Sequence, residues 1–185
     1  MLNVFPQDGL IRKVRVGEIA KFCEHLLRLD ADSRRSRFAA TVSDEFVRNY
    51  ANISIWLDTV VHAFYVDGVM RAAAELRLLS LVRPRQAEAT FSVEKTWQSR
   101  GIGTALMHDA LFTARDRGFD SLHAACLVSN GPMLGLLRKF DAQLRFDSGS
   151  FVGEAEPSGV PMQSLFRGIT GDGQGFVMAM LDLQA

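Results

Sequence analysis

Apolar positions along the chain change their period several times, and each change marks an element. Leu10 to Val16 alternates, with Leu10, Arg12, Val14 and Val16 against Ile11, Lys13 and Arg15, which suits a short first strand. Ile19, Phe22, Cys23, Leu26 and Leu27 then recur at helical spacing, with Leu29 just beyond, and predict an amphipathic helix. The polar stretch Asp30 to Phe38 follows, where Ser and Asp side chains can cap a new helix start. Ser43 predicts a further N-cap, with Asp44 and Glu45 placed to complement the helix dipole.

The middle of the chain switches to strand formers. Val60 to Tyr65 and Val69 to Leu81 flank Asp67-Gly68, a pair that favours a two-residue type I′ turn, so two antiparallel strands are expected. Arg83-Pro84-Arg85 interrupts the second, and Ala87, Ala89, Phe91 and Val93 then alternate with Glu88, Thr90 and Ser92 in a further strand. Gln98-Ser-Arg-Gly-Ile-Gly103 comes next, followed by Ala105, Leu106, Ala110, Leu111 and Ala114 at helical spacing and by Gly118 as a stop. Ser121 to Val128 has the pattern of a buried strand. Pro132 suits the first position of a last core helix through Met133, Leu134, Leu136, Leu137 and Phe140. Residues 87–128 thus form a βαβ unit.

Composition narrows the class. At 185 residues and 48% hydrophobic the chain can bury one sizeable core without disulfides or metals. With 21 basic against 21 acidic residues it has no broad cationic face, which argues against a nucleic-acid partner. Its apolar runs are too short for a membrane span, and Met1 to Leu10 lacks the features of a secretory signal, so a cytoplasmic protein is expected. Cys23 and Cys126 stand far apart without metal-ligand spacing and are taken as reduced structural residues. Seven of the 15 glycines fall after Asp147. Residues 1–165 are expected to form a single domain. Residues 166–185 are expected to be a tail, partly mobile or closed by a short amphipathic element at 176–183.

The glycine loop carries the first chemical signal. Gly101 and Gly103 let backbone N–H groups converge on an anion at a helix N-terminus, where orphan donors and the dipole favour a phosphate. Leu106 stands where a dinucleotide fingerprint would have its third glycine, and the loop lies halfway along the chain, so a Rossmann domain is not indicated.

Taken with its neighbours, the loop resembles the GCN5-related N-acetyltransferases, from about Leu10 to Phe146. Gln98-x-Arg100-Gly101-x-Gly103-Thr104-Ala105-Leu106 is similar to that family's acyl-CoA pyrophosphate loop. Ser129-Asn130-x-x-Met133 is similar to its pantetheine-side motif, and the order of elements agrees. The resemblance implies an α/β fold with a central mixed, largely antiparallel sheet, splayed between the two strands that hold the cofactor. It implies acetyl-CoA as co-substrate and no metal. The backbone of Phe91 and Val93 would bond the pantetheine. Gln98, Ser99, Arg100, Gly101, Ile102, Gly103 and Thr104 would surround the pyrophosphate, while Asn130 and Met133 would lie on the pantetheine side. The alternative for Asn130 is a helix cap before Gly131-Pro132.

The resemblance to the bacterial lysine-acetylating branch also places Glu88 at that branch's general base, against the alternative of a solvated or salt-bridged strand carboxylate. Glu75 is the second candidate. Arg34, Arg35 and Arg37 suit either a solvated helix start or recognition of an acidic group on the acceptor. Relatives often carry a tyrosine seven residues after the asparagine as acid for the departing thiolate, and Leu137 stands there instead. His25, His62 and His108 read as surface or half-buried, with His123 a minor candidate for a proton shuttle. The four histidines make no metal motif, and no Ser-His-Asp set or nucleophile elbow argues for hydrolysis. The expected activity is transfer of acetyl from acetyl-CoA to a primary amine, a protein lysine or a small amine, in a ternary complex. A non-catalytic acyl-CoA sensor is the alternative. Relatives are often dimers, so a homodimer is a further expectation.

Overall fold

The computed structural model describes residues 9–54, 59–147 and 149–157. Five α-helices and seven strands are found among them. In chain order they are β1 (Leu10–Lys13), α1 (Ile19–Arg28), α2 (Ala31–Phe38), α3 (Asp44–Ser54), β2 (Val60–Val66), β3 (Val69–Ser80), β4 (Gln86–Val93), α4 (Ile102–Asp116), β5 (Ser121–Leu127), α5 (Gly131–Lys139), β6 (Gln143–Asp147) and β7 (Ser150–Ala155). The expected first strand stops at Lys13, and Val16–Glu18 forms a 3₁₀ turn. The tail 166–185 lies outside the described residues.

Local chemistry accounts for most boundaries. The Asp30 carboxylate accepts from the backbone N–H of Asp32 and Ser33, which starts α2, and Ser43 Oγ accepts from Phe46 N at 3.1 Å to start α3. Asp67 and Gly68 have φ of 51° and 74°, the two positive values a type I′ turn requires, and they set the Val66↔Val69 register. Gly149, at φ 86°, closes the β6–β7 hairpin.

The strands make one sheet in the order β1-β2-β3-β4-β5-β7-β6. Only β4 and β5 are parallel; the other neighbours are antiparallel. This is the expected mixed sheet. Alternation sends side chains to two helical layers. Phe22 and Leu26 of α1 with Val47 and Ala51 of α3 cover Val61, Ala63 and Ala73 on one face. On the other, Ile102 and Leu106 of α4 pack on Phe64, Ala72 and Ala74. Further along that face Met107, Ala110 and Leu111 of α4, with Leu134 and Leu137 of α5, cover Ala87, Ala89, Leu122 and Ala124. Alanines on the central strands let both helix layers sit close to the sheet. Each fully buried large side chain, such as Phe22 or Phe64, stabilises the fold by roughly 1.5–3 kcal/mol. Among the described residues no helix is long and apolar enough to cross a membrane, and no group of three or more His, Cys, Asp or Glu could hold a metal.

Candidate active site

The sheet opens in its middle. Strands β4 and β5 pair only through Gln86↔Ser121, Ala87↔Leu122 and Glu88↔His123. Beyond that rung β4 runs on to Val93 and β5 to Leu127 without pairing to each other, so a cleft edged by unpaired strand backbone begins at Glu88. An extended amide-bearing ligand can add to such an edge as another strand would.

The glycine loop closes one end of this cleft. Gly101 is the N-cap of α4 at φ 81°, and Ser99 is also left-handed at φ 59°. The first helical bond runs from Ala105 N to Gly101 O at 3.1 Å, so the N–H groups of Ile102, Gly103 and Thr104 find no acceptor within the helix. Gly103 leaves the approach bare, since a Cβ there would meet nothing nearer than Leu136 Cδ2 at 3.8 Å. Gln98 Nε2 donates to Val93 O at 3.0 Å and to Ser33 Oγ at 3.1 Å, which ties the loop to β4 and to α2. The Arg100 guanidinium stands 5.0 Å over the Trp97 ring, and Lys139 Nζ is 3.4 Å from Thr104 Oγ1. Bare N–H groups, a helix N-terminus and two nearby cations suit a diphosphate.

Three glutamates lie along or beside this cleft, and they differ sharply in their partners. Glu75 on β3 is 3% exposed; Arg37 Nη2 and Tyr50 Oη donate to its two oxygens, the second at 2.8 Å. Burial alone would lower the Arg37 pKa, but Glu75 and Tyr50 more than offset it and hold the guanidinium charged. Glu94, just after β4, receives His25, Arg28 and Arg71. Burial would raise its pKa, but these donors hold it at about 2. Glu88 is half-buried at the rung where the strands part, opposite Arg77 and His123, and its carboxylate has no hydrogen bond or ion pair among the described residues.

The sequence model of the family described as "Acetyltransferase (GNAT) family" matches residues 24–142. The chain belongs to the GNAT acetyltransferase family. N-acetyl transfer is the activity of that family and of this member. Solved structures agree on the fold. The GNAT domain of Streptomyces lividans PAT is 21% identical, covers 79% of this chain and 89% of its own, and superposes with a TM-score of 0.68. RimL, a ribosomal L7/L12 alpha-N-protein acetyltransferase in complex with coenzyme A, is 13% identical, covers 82% and 95%, and has a TM-score of 0.66. The PaiA N-acetyltransferase from Thermoplasma acidophilum, also with coenzyme A, is 16% identical, covers 80% and 98%, and has a TM-score of 0.60. No curated protein matches the chain by sequence.

Within this GNAT fold several sequence expectations need correction. His25 and His62 are not surface residues; they are 0% and 5% exposed. His62 Nε2 meets Thr113 Oγ1 at 2.8 Å, and burial first, then the Lys13 and Arg117 charges, push its pKa down to about 4. His25 falls at the three-residue step from Phe22 on the apolar stripe of α1, a signal of burial available in the sequence. It also completes a Ser-His-acid contact order, Ser92 to His25 to Glu94, that no sequence spacing revealed. Ser92 is 5% exposed and packed under α1, so no carbonyl can reach it as at a hydrolase serine. Arg37 is not a solvated helix residue, with its side chain only 5% exposed against Glu75. Arg34 donates to Asp44 Oδ1 at 2.7 Å and to Leu27 O at 2.8 Å, whereas Arg35 is exposed. Both Arg34 and Arg37 therefore face partners inside the protein.

The helix after the cleft shows where Asn130 and Leu137 act. Asn130 is the N-cap of α5, its Oδ1 accepting from Met133 N at 3.1 Å, and the Met133 side chain packs in the core. The amide NH₂ of Asn130 stays available beside the cap. Leu137 is 1% exposed, and a Cβ on Gly153 would lie 2.8 Å from its Cδ2. Its position is a packing contact with β7. His108 is half-buried beside Phe140, at 4.7 Å between ring centroids. His123 contacts Ser121 Oγ at 2.9 Å and lies 3.7 Å from Glu154. Tyr50, which joins Arg37, Glu75 and Arg77, was not singled out by any local pattern.

Proposed function

We propose that this protein transfers acetyl from acetyl-CoA to a primary amine by direct attack in a ternary complex, with Glu88 as general base. The observation that carries the assignment is the contrast among the three carboxylates. Glu75 is held by Arg37 and Tyr50 and Glu94 by His25, Arg28 and Arg71, while among the described residues the Glu88 side chain has no hydrogen-bond or ion-pair partner where β4 and β5 part. Pantetheine lies along the β4 edge with its amides on the backbone of Phe91 and Val93, and the diphosphate takes the N–H groups of the Gln98–Thr104 loop. The Asn130 amide NH₂ reaches the pantetheine arm while its oxygen keeps the cap.

Glu88 then has one task, to take the proton that the amine must lose. The amine nitrogen attacks the thioester carbonyl carbon, the proton passes to the Glu88 carboxylate directly or through one water, and the C–S bond breaks to release CoA thiolate. A backbone N–H at the open β4 edge is the donor for the carbonyl oxygen. No tyrosine acid enters this scheme, because a thiolate is a stable enough leaving group to depart without one. The acceptor is a protein lysine or a small amine, and Arg34 and Arg37 are not assigned to its recognition.

Calorimetric titration of acetyl-CoA, followed by thiol release against a panel of amines and lysine peptides, tests this function. The unaltered protein binds and turns over with at least one amine. Gly103→Glu places a carboxylate on the loop without a backbone clash and abolishes binding. Binding of acetyl-CoA with no amine-dependent thiol release against any of the amines would overturn the proposed transfer.

A further inference from the structure

Beyond Glu88 the β4 strand is supported on one edge only, by β3 through Ala74↔Phe91, Ala73↔Ser92 and Ala72↔Val93. A strand edge that must accept a ligand cannot be stiffened by a second strand, which would take the same backbone groups. The bracing comes from the helix layer instead. His25 on α1 is fully buried, and burial lowers its pKa, so it is neutral there despite the nearby carboxylate. The Glu94 carboxylate can only accept, so His25 Nδ1–H donates to Glu94 Oε1 at 3.3 Å. The Nε2 lone pair is then left to accept the Ser92 hydroxyl at 2.9 Å.

Two arginines extend this hub in opposite directions. Arg28 Nε donates to Glu94 Oε1 at 2.9 Å and its Nη2 donates to Met70 O at 2.7 Å, fastening α1 to β3. Arg71 Nη1 donates to Glu94 Oε2 at 3.1 Å, and its guanidinium lies 5.9 Å from the Trp97 ring, on which Arg100 of the glycine loop also rests. Glu94 N donates to Arg71 O at 3.0 Å as well. One carboxylate thus joins α1, β3, the end of β4 and the approach to the loop.

We infer that His25, Glu94 and Arg28 are positioning residues for acyl-CoA: by holding the unpaired end of β4 and the glycine loop in register, they set the backbone that binds the cofactor without touching it. This rests on the cofactor site proposed above. Glutamine can replace neutral His25, since its amide offers one donor face to Glu94 and one acceptor to Ser92, whereas leucine offers neither. The hub holds the edge on which the cofactor lies, so its loss raises KM for acetyl-CoA.

The test uses the full chain, with His25→Leu, His25→Gln and Arg28→Met compared by CoA titration, steady-state kinetics and thermal melting. His25→Leu is expected to raise both the Kd for CoA and the KM for acetyl-CoA roughly tenfold. His25→Gln restores both constants to within about twofold of the unaltered protein. Arg28→Met removes a more exposed arm of the hub and is expected to raise Kd about threefold, which keeps the test open should His25→Leu not fold. A lower melting temperature with unchanged Kd and KM would overturn the proposal and leave the hub a stability feature. Failure of the unaltered protein to bind CoA would instead remove the cofactor site on which it stands.

Discussion

Replacing Glu75 and Glu88 in turn by glutamine separates a structural carboxylate from a reactive one on the same face of the sheet. Glu75→Gln leaves the Arg37 guanidinium, whose side chain is 5% exposed, without its counter-charge. Breaking a buried ion pair from one side destabilises by about 3–5 kcal/mol. Tyr50 can still donate to the glutamine oxygen, which puts the expected loss near the lower figure. For a domain of this size each kcal/mol moves the melting temperature by roughly 2–4 °C, so a fall of about 6–12 °C is expected. Activity per folded molecule should be unchanged. Glu88→Gln removes a half-buried carboxylate with no side-chain partner among the described residues, so stability should move by no more than about 0.5 kcal/mol. Loss of a general base costs about 10²–10⁴-fold in rate, read as amine-dependent thiol release at saturating acetyl-CoA. Thermal melts and that assay on the two variants suffice. The reverse outcome, a stable but inactive Glu75→Gln beside a fully active Glu88→Gln, would refute the assignment of the base.

Other outcomes follow from the same geometry. Gly153→Ala would set a methyl 2.8–2.9 Å from both Leu137 methyl carbons, and urea unfolding should show a loss of about 1–3 kcal/mol, which Leu137→Val on the same chain partly relieves. Asn130→Ala removes the α5 cap and should cost about 0.5–2 kcal/mol in the same assay, with a weaker CoA titration if its amide also holds pantetheine. Glu94 has its pKa depressed from 4.5 to about 2 in the fold, so its contribution is complete above about pH 5 and is lost as pH falls toward 2. That contribution is on the order of 3 kcal/mol. Urea midpoints measured from pH 6 down to pH 3 should fall less in Glu94→Gln than in the unaltered protein; parallel curves would show that the carboxylate is not held in this way.

Much of the fold was legible because its determinants are local. The three-and-four stripe of α1, the Asp67-Gly68 turn, the alternation of β4 and the Gly101-Ile-Gly103 loop each express a backbone preference within a few residues, and each is found where its pattern placed it. The loop and the order of elements pointed to the family for the same reason. The ends of elements were less legible. The β1 alternation runs to Val16, but the strand stops at Lys13, where its pairing to His62 ends. The insertion of β7 between β5 and β6 likewise depends on a partner strand more than 20 residues away in the chain, which no local pattern encodes.

The sequence by itself determined the elements from α1 to α5, the glycine loop at the start of α4, and two candidate glutamates, Glu75 and Glu88, whose chemistry was alike on paper. Only the tertiary structure decided that Glu75 is held by Arg37 and Tyr50 while Glu88 has no such partner among the described residues. Arg37 reaches Glu75 across 38 residues, and His25 reaches Glu94 across 69, so their pairing exists only once the α1–α3 layer packs on the sheet. The physical reason is that a carboxylate's reactivity is set by burial and by the charges around it. Those surroundings are assembled by packing, whereas propensity and turn chemistry act within a few residues along the chain.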